Sequence, residues 1–192
     1  DHVSMLLATD IWQTDKTVVA LDIGTNTEIT VAHEGQLVCC SCASGPAFEG
    51  AHIGAGMRAA PGAIERVQIT DGDLHVHTIG QQPPVGICGS GILDAIAEML
   101  KAGMLNSRGV LSKDHPRVRV RDNKAEFVLS SAMYSGHGHD VLITRSDVNE
   151  IQLAKSAIRV GIDVLLAECG VTADDIDEFI VAGAFGTYLD LD

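Results

Sequence analysis

The run TVVALDI, residues 17–23, constrains this chain more than any other stretch. It is apolar at nearly every position, so it reads as a buried strand. Yet it carries a carboxylate, Asp22, and then breaks into Gly24, Thr25, Asn26 and Thr27. A carboxylate at the end of a buried strand is costly unless it is paired or coordinates a cation. Two readings compete. In one, Asp22 caps local N–H groups in an Asx-turn. In the other, Asp22 holds Mg²⁺ through its waters, and Gly24, Thr25, Asn26 and Thr27 grip phosphate oxygens. The local sequence alone leaves both open.

The segments that follow place this run in an α/β fold with a mixed sheet. Residues 27–33 and 36–42 read as two more strands, joined by a tight turn at Glu34–Gly35. A glycine-rich stretch, 44–65, leaves room for a short helix around 47–60. Strands at RVQIT and DLHVHTI flank an Asp71–Gly72–Asp73 turn. Residues 86–105 read as a glycine loop entering a helix, with Ser90 as its N-cap. Short strands are expected at RVRV, AEFVL and VLI. A long helix covers 146–169, with Ile151, Ala154, Ile158, Ile162 and Leu165 on one face. Gly170 ends it as a C′ residue. A short acidic helix, a strand at Phe179–Val181 and a third glycine loop, 183–187, close the chain.

Composition excludes several function classes. The net charge of −13 disfavours electrostatic binding to nucleic acid or to an anionic membrane. No apolar run approaches the ~20 residues of a bilayer span. The five cysteines and the lack of a secretory signal point to reduced thiols in the cytoplasm. Cys39, Cys40 and Cys42 lie on an expected strand, where alternate side chains take opposite faces, so packing is the reading preferred to a cluster site. His75 and His77 share one strand face but are too few for a metal site. His137, His139 and Asp140 read as a solvated loop, and Cys88 as a weak candidate for a reactive thiol. Lys155 and Arg159 either reach a nucleotide or pair with nearby acids.

Glycine loops at 22–27, 86–91 and 183–187 let backbone N–H groups approach an anion. None is a Gly-x-x-x-x-Gly-Lys-Ser/Thr loop, and no dinucleotide fingerprint fits. Each is weak alone; three in one α/β chain point to a nucleotide. Gly89 and Ser90 either face that nucleotide or simply start a helix.

LDIGTNTEI resembles a phosphate loop of the acetate kinase/hsp70/actin (ASKHA) ATPase superfamily. Together with CASGPAFEGAHIGAGMRAAPGAI, GICGSGILDAI, DVNEIQLAKSAIRVGIDVLL and FIVAGAFGTYLDL, it resembles the ATP-dependent reductive activators of corrinoid proteins. The resemblance spans residues 16–192 and is weakest over 106–140. It implies a ribonuclease-H-like lobe, a mixed sheet flanked by helices, and the second of two such lobes. Residues 1–15 then read as the end of a preceding helix or linker, and 16–192 as a lobe incomplete at its C-terminus. An upstream lobe and a 2Fe–2S ferredoxin domain are expected outside this sequence, and this chain alone is not expected to be a complete ATPase.

The same resemblance implies roles. Asp22 is a Mg²⁺/water ligand; Gly24, Thr25, Asn26 and Thr27 hold phosphate; Gly183, Ala184 and Gly186 lie along the adenosine. Glu49 is either a polar contributor to the cleft or a surface glutamate. The implied activity is ATP-driven reduction of a Co(II) corrinoid to Co(I), with a corrinoid protein or corrinoid methyltransferase as partner and a homodimer as one open assembly. Two alternatives stand beside it: a small-molecule kinase of the superfamily, and a non-catalytic dimerisation or docking module.

Overall fold

The structure, a computed structural model, describes residues 1–186, with Ala184 and Phe185 described by backbone alone. In chain order the elements are α1 (His2–Thr9), β1 (Val18–Ile23), β2 (Thr27–His33), β3 (Gln36–Cys42), β4 (Ala63–Thr70), β5 (Asp73–Thr78) and β6 (Gly86–Ile87). They continue as α2 (Gly89–Lys101), β7 (Val118–Arg121), β8 (Lys124–Ser130), β9 (Val141–Thr144), α3 (Arg145–Cys169), β10 (Glu178–Ala182) and α4 (Gly183–Gly186). Two compact units result, one built from Asp1–Gly45 with Leu153–Asp192 and the other from Pro46–Gln152. The stretch 16–192, expected as one lobe, thus contributes to both, and α3 runs from the second into the first.

The first unit is a four-stranded mixed sheet, ordered β10-β1-β2-β3. β1 runs parallel to β10 and antiparallel to β2. This central place explains the apolar run: Val18, Val19, Ala20 and Leu21 are all buried, so both faces of β1 are covered. Period-two alternation sorts the cover. Val18, Ala20 and Ala32 pack with Met5 of α1 and Ile11 on one face. On that face His2 Nε2 lies 2.7 Å from the Thr30 hydroxyl, tying α1 to the sheet. Within the stretch expected as a helix end or linker, α1 is a helix packed on the sheet.

On the opposite face α3 crosses β2 and β3 at Gly161. A Cβ there would stand 2.3 Å from Cys42 Sγ and 2.7 Å from Ile29 Cδ1, so the glycine lets helix and sheet approach. Cys40 and Cys42 share this face, their sulfurs 3.9 Å apart, and Cys39 points the other way and is exposed. Burial, followed by the hydrogen bond with Cys42, pushes the Cys40 thiol up to about 11. The alternation expected of the cysteine-rich strand is what the sheet displays.

The second unit holds two three-stranded sheets, β5-β4-β6 and β7-β8-β9. α2 packs tightly on β4: a Cβ at Gly91 would lie 2.2 Å from the Ile64 carbonyl. Its carboxylates complete the sheet edge, Glu98 accepting from the Ile69 N–H at 2.8 Å and Asp94 from the Val67 N–H at 3.4 Å. β8 is anchored by Arg119, which donates to Glu126 Oε2 at 2.8 Å and also pairs with Asp140.

Three expectations about local structure give way. The helix around 47–60 is only a 3-10 turn, Pro46–Glu49, followed by turns. There Gly50 takes φ +81°, and a Cβ on Gly56 would lie 1.8 Å from the Gly50 carbonyl, so the glycines fold the backbone upon itself. Ser90 is not an N-cap: α2 begins at Gly89 with Cys88 in the cap position, and the Ser90 hydroxyl donates to the Glu65 carbonyl at 3.0 Å. The acidic helix is a 3-10 turn, Ala173–Asp175, closed by a Thr172–Asp175 capping box.

Candidate functional site

The register of the first sheet brings two of the glycine segments together. Asp22 pairs with Ala182 across the parallel β1–β10 ladder and with Glu28 across the antiparallel β1–β2 ladder. Both parallel strands therefore end side by side, one entering Gly24 and the other Gly183. In open α/β sheets the carboxyl ends of the strands are where ligands bind. Gly183 has φ +85°, and a Cβ on it would come 3.1 Å from Asp22 Oδ1. The half-buried Asp22 carboxylate thus lies directly against the backbone that starts α4.

The β1–β2 turn is held from inside. Gly24 N–H donates to the Asn26 carbonyl at 3.1 Å, and Gly45 N–H donates to the Thr25 carbonyl at 2.9 Å. Thr25 and Asn26 are exposed at the tip, whereas Thr27 is fully buried. The Thr27 hydroxyl lies 2.8 Å from Ser44 Oγ, which also lies 3.2 Å from the Gly24 carbonyl and 3.4 Å from that of Thr25. Sequence reasoning passed over Ser44, although it opens the SGPAFEGA segment. Its signal was a small hydroxyl two residues after a strand and next to a glycine, Gly45, which takes φ +77°.

The remaining candidates sort by unit. Gly186 runs close against β10, where a Cβ would lie 2.9 Å from the Val181 carbonyl. The side chain of Ala184 lies outside the described residues. Glu49, exposed, and Gly89 and Ser90, buried, belong to the other unit. That unit contains a buried carboxylate of its own: Asp147, 2% exposed, accepts from Gly54 N–H at 2.7 Å and from the Thr144 N–H and hydroxyl at 2.7 and 2.8 Å. From the first turn of α3 it clamps the 50–57 turns through Gly54. Arg159 pairs with Asp163 one turn along α3 at 2.8 Å, which favours pairing with an acid for that residue. Cys88 is buried, its sulfur 3.3 Å from the Ile64 carbonyl, so it is packed rather than presented.

Residues 16–192 match the family described as the C-terminal domain of RACo, the ASKHA domain. The chain belongs to this family. This ASKHA domain is 40% identical over 180 residues to the corrinoid activation enzyme RamQ of Eubacterium limosum, covering 89% of this chain and 30% of that protein. It is 28% identical over 212 residues to the Co(II) methylated amine-specific corrinoid protein reductase of Methanosarcina barkeri, covering 99% of this chain and 36% of that one. A solved structure named reductive activator for corrinoid, iron-sulfur protein superposes with a TM-score of 0.88 at 41% identity, over 98% of this chain and 31% of that chain. The ASKHA domain thus spans about a third of the length of these relatives, and it shares its mixed α/β architecture with the solved structure. No helix among the described residues is long and apolar enough to cross a membrane.

Proposed function

We propose that this chain supplies a phosphate grip of a protein in which ATP drives the one-electron reduction of a Co(II) corrinoid to Co(I) on a corrinoid protein partner, the electron passing from an iron–sulfur cluster. The observation that carries the reading is the convergence of Asp22, the Gly24–Thr27 turn and Gly183 at the carboxyl ends of two parallel strands. On this reading Gly24, Thr25 and Asn26 meet the phosphates, with Thr27 beneath them, and Gly183, Ala184 and Gly186 lie along the adenosine. Glu49, Gly89 and Ser90 belong to the second unit and have no part in this reading.

The donor set fits Mg²⁺. Asp22 offers one half-buried carboxylate beside backbone with no intervening side chain. That suits an ion that keeps most of its waters and takes one or two carboxylates along with phosphate oxygens. The ion would supply charge neutralisation at the phosphates, and Asp22 would orient its water shell. A 2Fe–2S cluster would lie outside these 192 residues. The two relatives and the solved structure named above support the corrinoid partner; a cytoplasmic setting and a homodimer are compatible with it.

The test uses the full-length protein. ATP hydrolysis is expected to rise when the Co(II) corrinoid protein is added, and, with a chemical one-electron reductant present to feed the iron–sulfur cluster, Co(I) is expected to appear by its absorbance only when ATP is also present. Phosphorylation of a small molecule with no corrinoid effect would instead establish the kinase alternative.

A further inference from the structure

We propose that Ser44 is a positioning residue that sets the direction of the phosphate-binding amides at the β1–β2 turn, an inference that rests on the phosphate-grip reading above. The hydrogen-bond chemistry is decided by the acceptors. A carbonyl oxygen can only accept, and a serine has one proton to give. Ser44 Oγ therefore donates to the Gly24 carbonyl at 3.2 Å, with the Thr25 carbonyl at 3.4 Å as its alternative, and accepts from the Thr27 hydroxyl at 2.8 Å. The Gly45 N–H donates to the same Thr25 carbonyl at 2.9 Å. The Ser44 N–H, in turn, donates to the Cys42 carbonyl at 2.9 Å, anchoring the hub to the end of β3.

Those two carbonyls belong to the peptide units that carry the N–H groups of Thr25 and Asn26. Both peptides are trans, and in a planar trans peptide C=O and N–H point in opposite directions. Drawing the carbonyls toward Ser44, which is 6% exposed, turns the Thr25 and Asn26 N–H groups toward the exposed tip of the turn. Successive N–H groups on one side of a turn form an anion-binding concavity. Ser44 does this without touching the anion itself. Thr27, fully buried, is the first donor of the relay Thr27 to Ser44 to Gly24. Its conformation and that of Ser44 are locked by one another.

The experiment measures ATP, ADP and adenosine affinity of the full-length protein by calorimetry, for wild type, Ser44→Ala, Thr27→Val and Thr27→Ser. Thr27→Val keeps the shape but removes the hydroxyl, so it carries the test if Ser44→Ala does not fold. Ser44→Ala and Thr27→Val are expected to weaken ATP and ADP by roughly tenfold while leaving adenosine unchanged, and Thr27→Ser is expected to bind as wild type. Equal loss of ATP and adenosine affinity would reduce Ser44 to scaffold and overturn the proposal. So would wild-type ATP affinity in Ser44→Ala. A wild-type protein that binds adenosine as tightly as ATP would instead remove the phosphate-grip reading itself.

Discussion

Gly183 stands where any side chain would press on Asp22: its Cβ position is 3.1 Å from Asp22 Oδ1, and its φ of +85° lies in the left-handed region. A chain distance of more than 150 residues is closed by one parallel strand pairing, β1 with β10. Gly183→Ala therefore meets two penalties, backbone strain of about 1–2 kcal/mol and displacement of the Asp22 carboxylate. Urea unfolding should show the first, and a raised Kd for Mg²⁺-ATP in the full-length protein the second. Unchanged Mg²⁺-ATP affinity would separate Gly183 from the site.

Asp22→Asn keeps the size of the side chain and removes its charge. Calorimetry of the full-length protein should show Mg²⁺-ATP binding weakened at least tenfold, about 1.4 kcal/mol, with metal-free ATP little changed. Equal binding by the variant with Mg²⁺ would return Asp22 to a turn-capping role.

Gly161→Ala should destabilise the first unit despite alanine's better helix propensity. The added carbon meets Cys42 Sγ at 2.3 Å and Ile29 Cδ1 at 2.7 Å, both in a packed sheet face. Overpacking of this kind costs ~1–3 kcal/mol, and the propensity gain of about 1 kcal/mol offsets only part of it. Adding Cys42→Ala should recover part of the loss in urea unfolding, because it empties the space the new methyl needs.

The Ala132 N–H and then the Arg119 guanidinium hold the Asp140 carboxyl below the usual carboxylate range. A depressed folded-state pKa contributes stability above the unfolded value, and that contribution is lost as pH falls through the folded value. Asp140→Asn should therefore lower the unfolding midpoint at neutral pH. The gap from wild type should close in acid, below the ordinary carboxylate pKa of about 4. A gap of constant size across that range would show that charge at Asp140 contributes nothing.

Cys39 should alkylate before Cys40. Cys39 is exposed on the outer face of β3, whereas the Cys40 thiol is pushed up to about 11 and packed beneath α3. The thiolate is the reactive species, so iodoacetamide at pH 8 should label Cys39 first, as read by peptide mass spectrometry. Faster labelling of Cys40 would show that α3 does not hold that face closed.

Much of the architecture was legible because it rests on local pattern. The apolar β1 run, the alternating cysteines of β3 and the 3- and 4-residue spacing along α3 are each written in neighbouring residues. The 47–60 stretch misled because helix-compatible alanines sit among glycines whose role is backbone contact. Gly56 against Gly50 is a distance no local pattern reports. Ser90 looked like a cap by position, but its hydroxyl found a partner on β4 first.

The sequence by itself determined that Asp22 would end a buried strand and enter a glycine turn, because burial pattern and turn chemistry are local. Only the tertiary structure decided what that turn meets. The β1–β10 pairing set Gly183 against Asp22, and the return of the chain after β3 placed Ser44 under the turn. Both follow from sheet register, which fixes neighbours across long stretches of chain that no spacing along the sequence encodes.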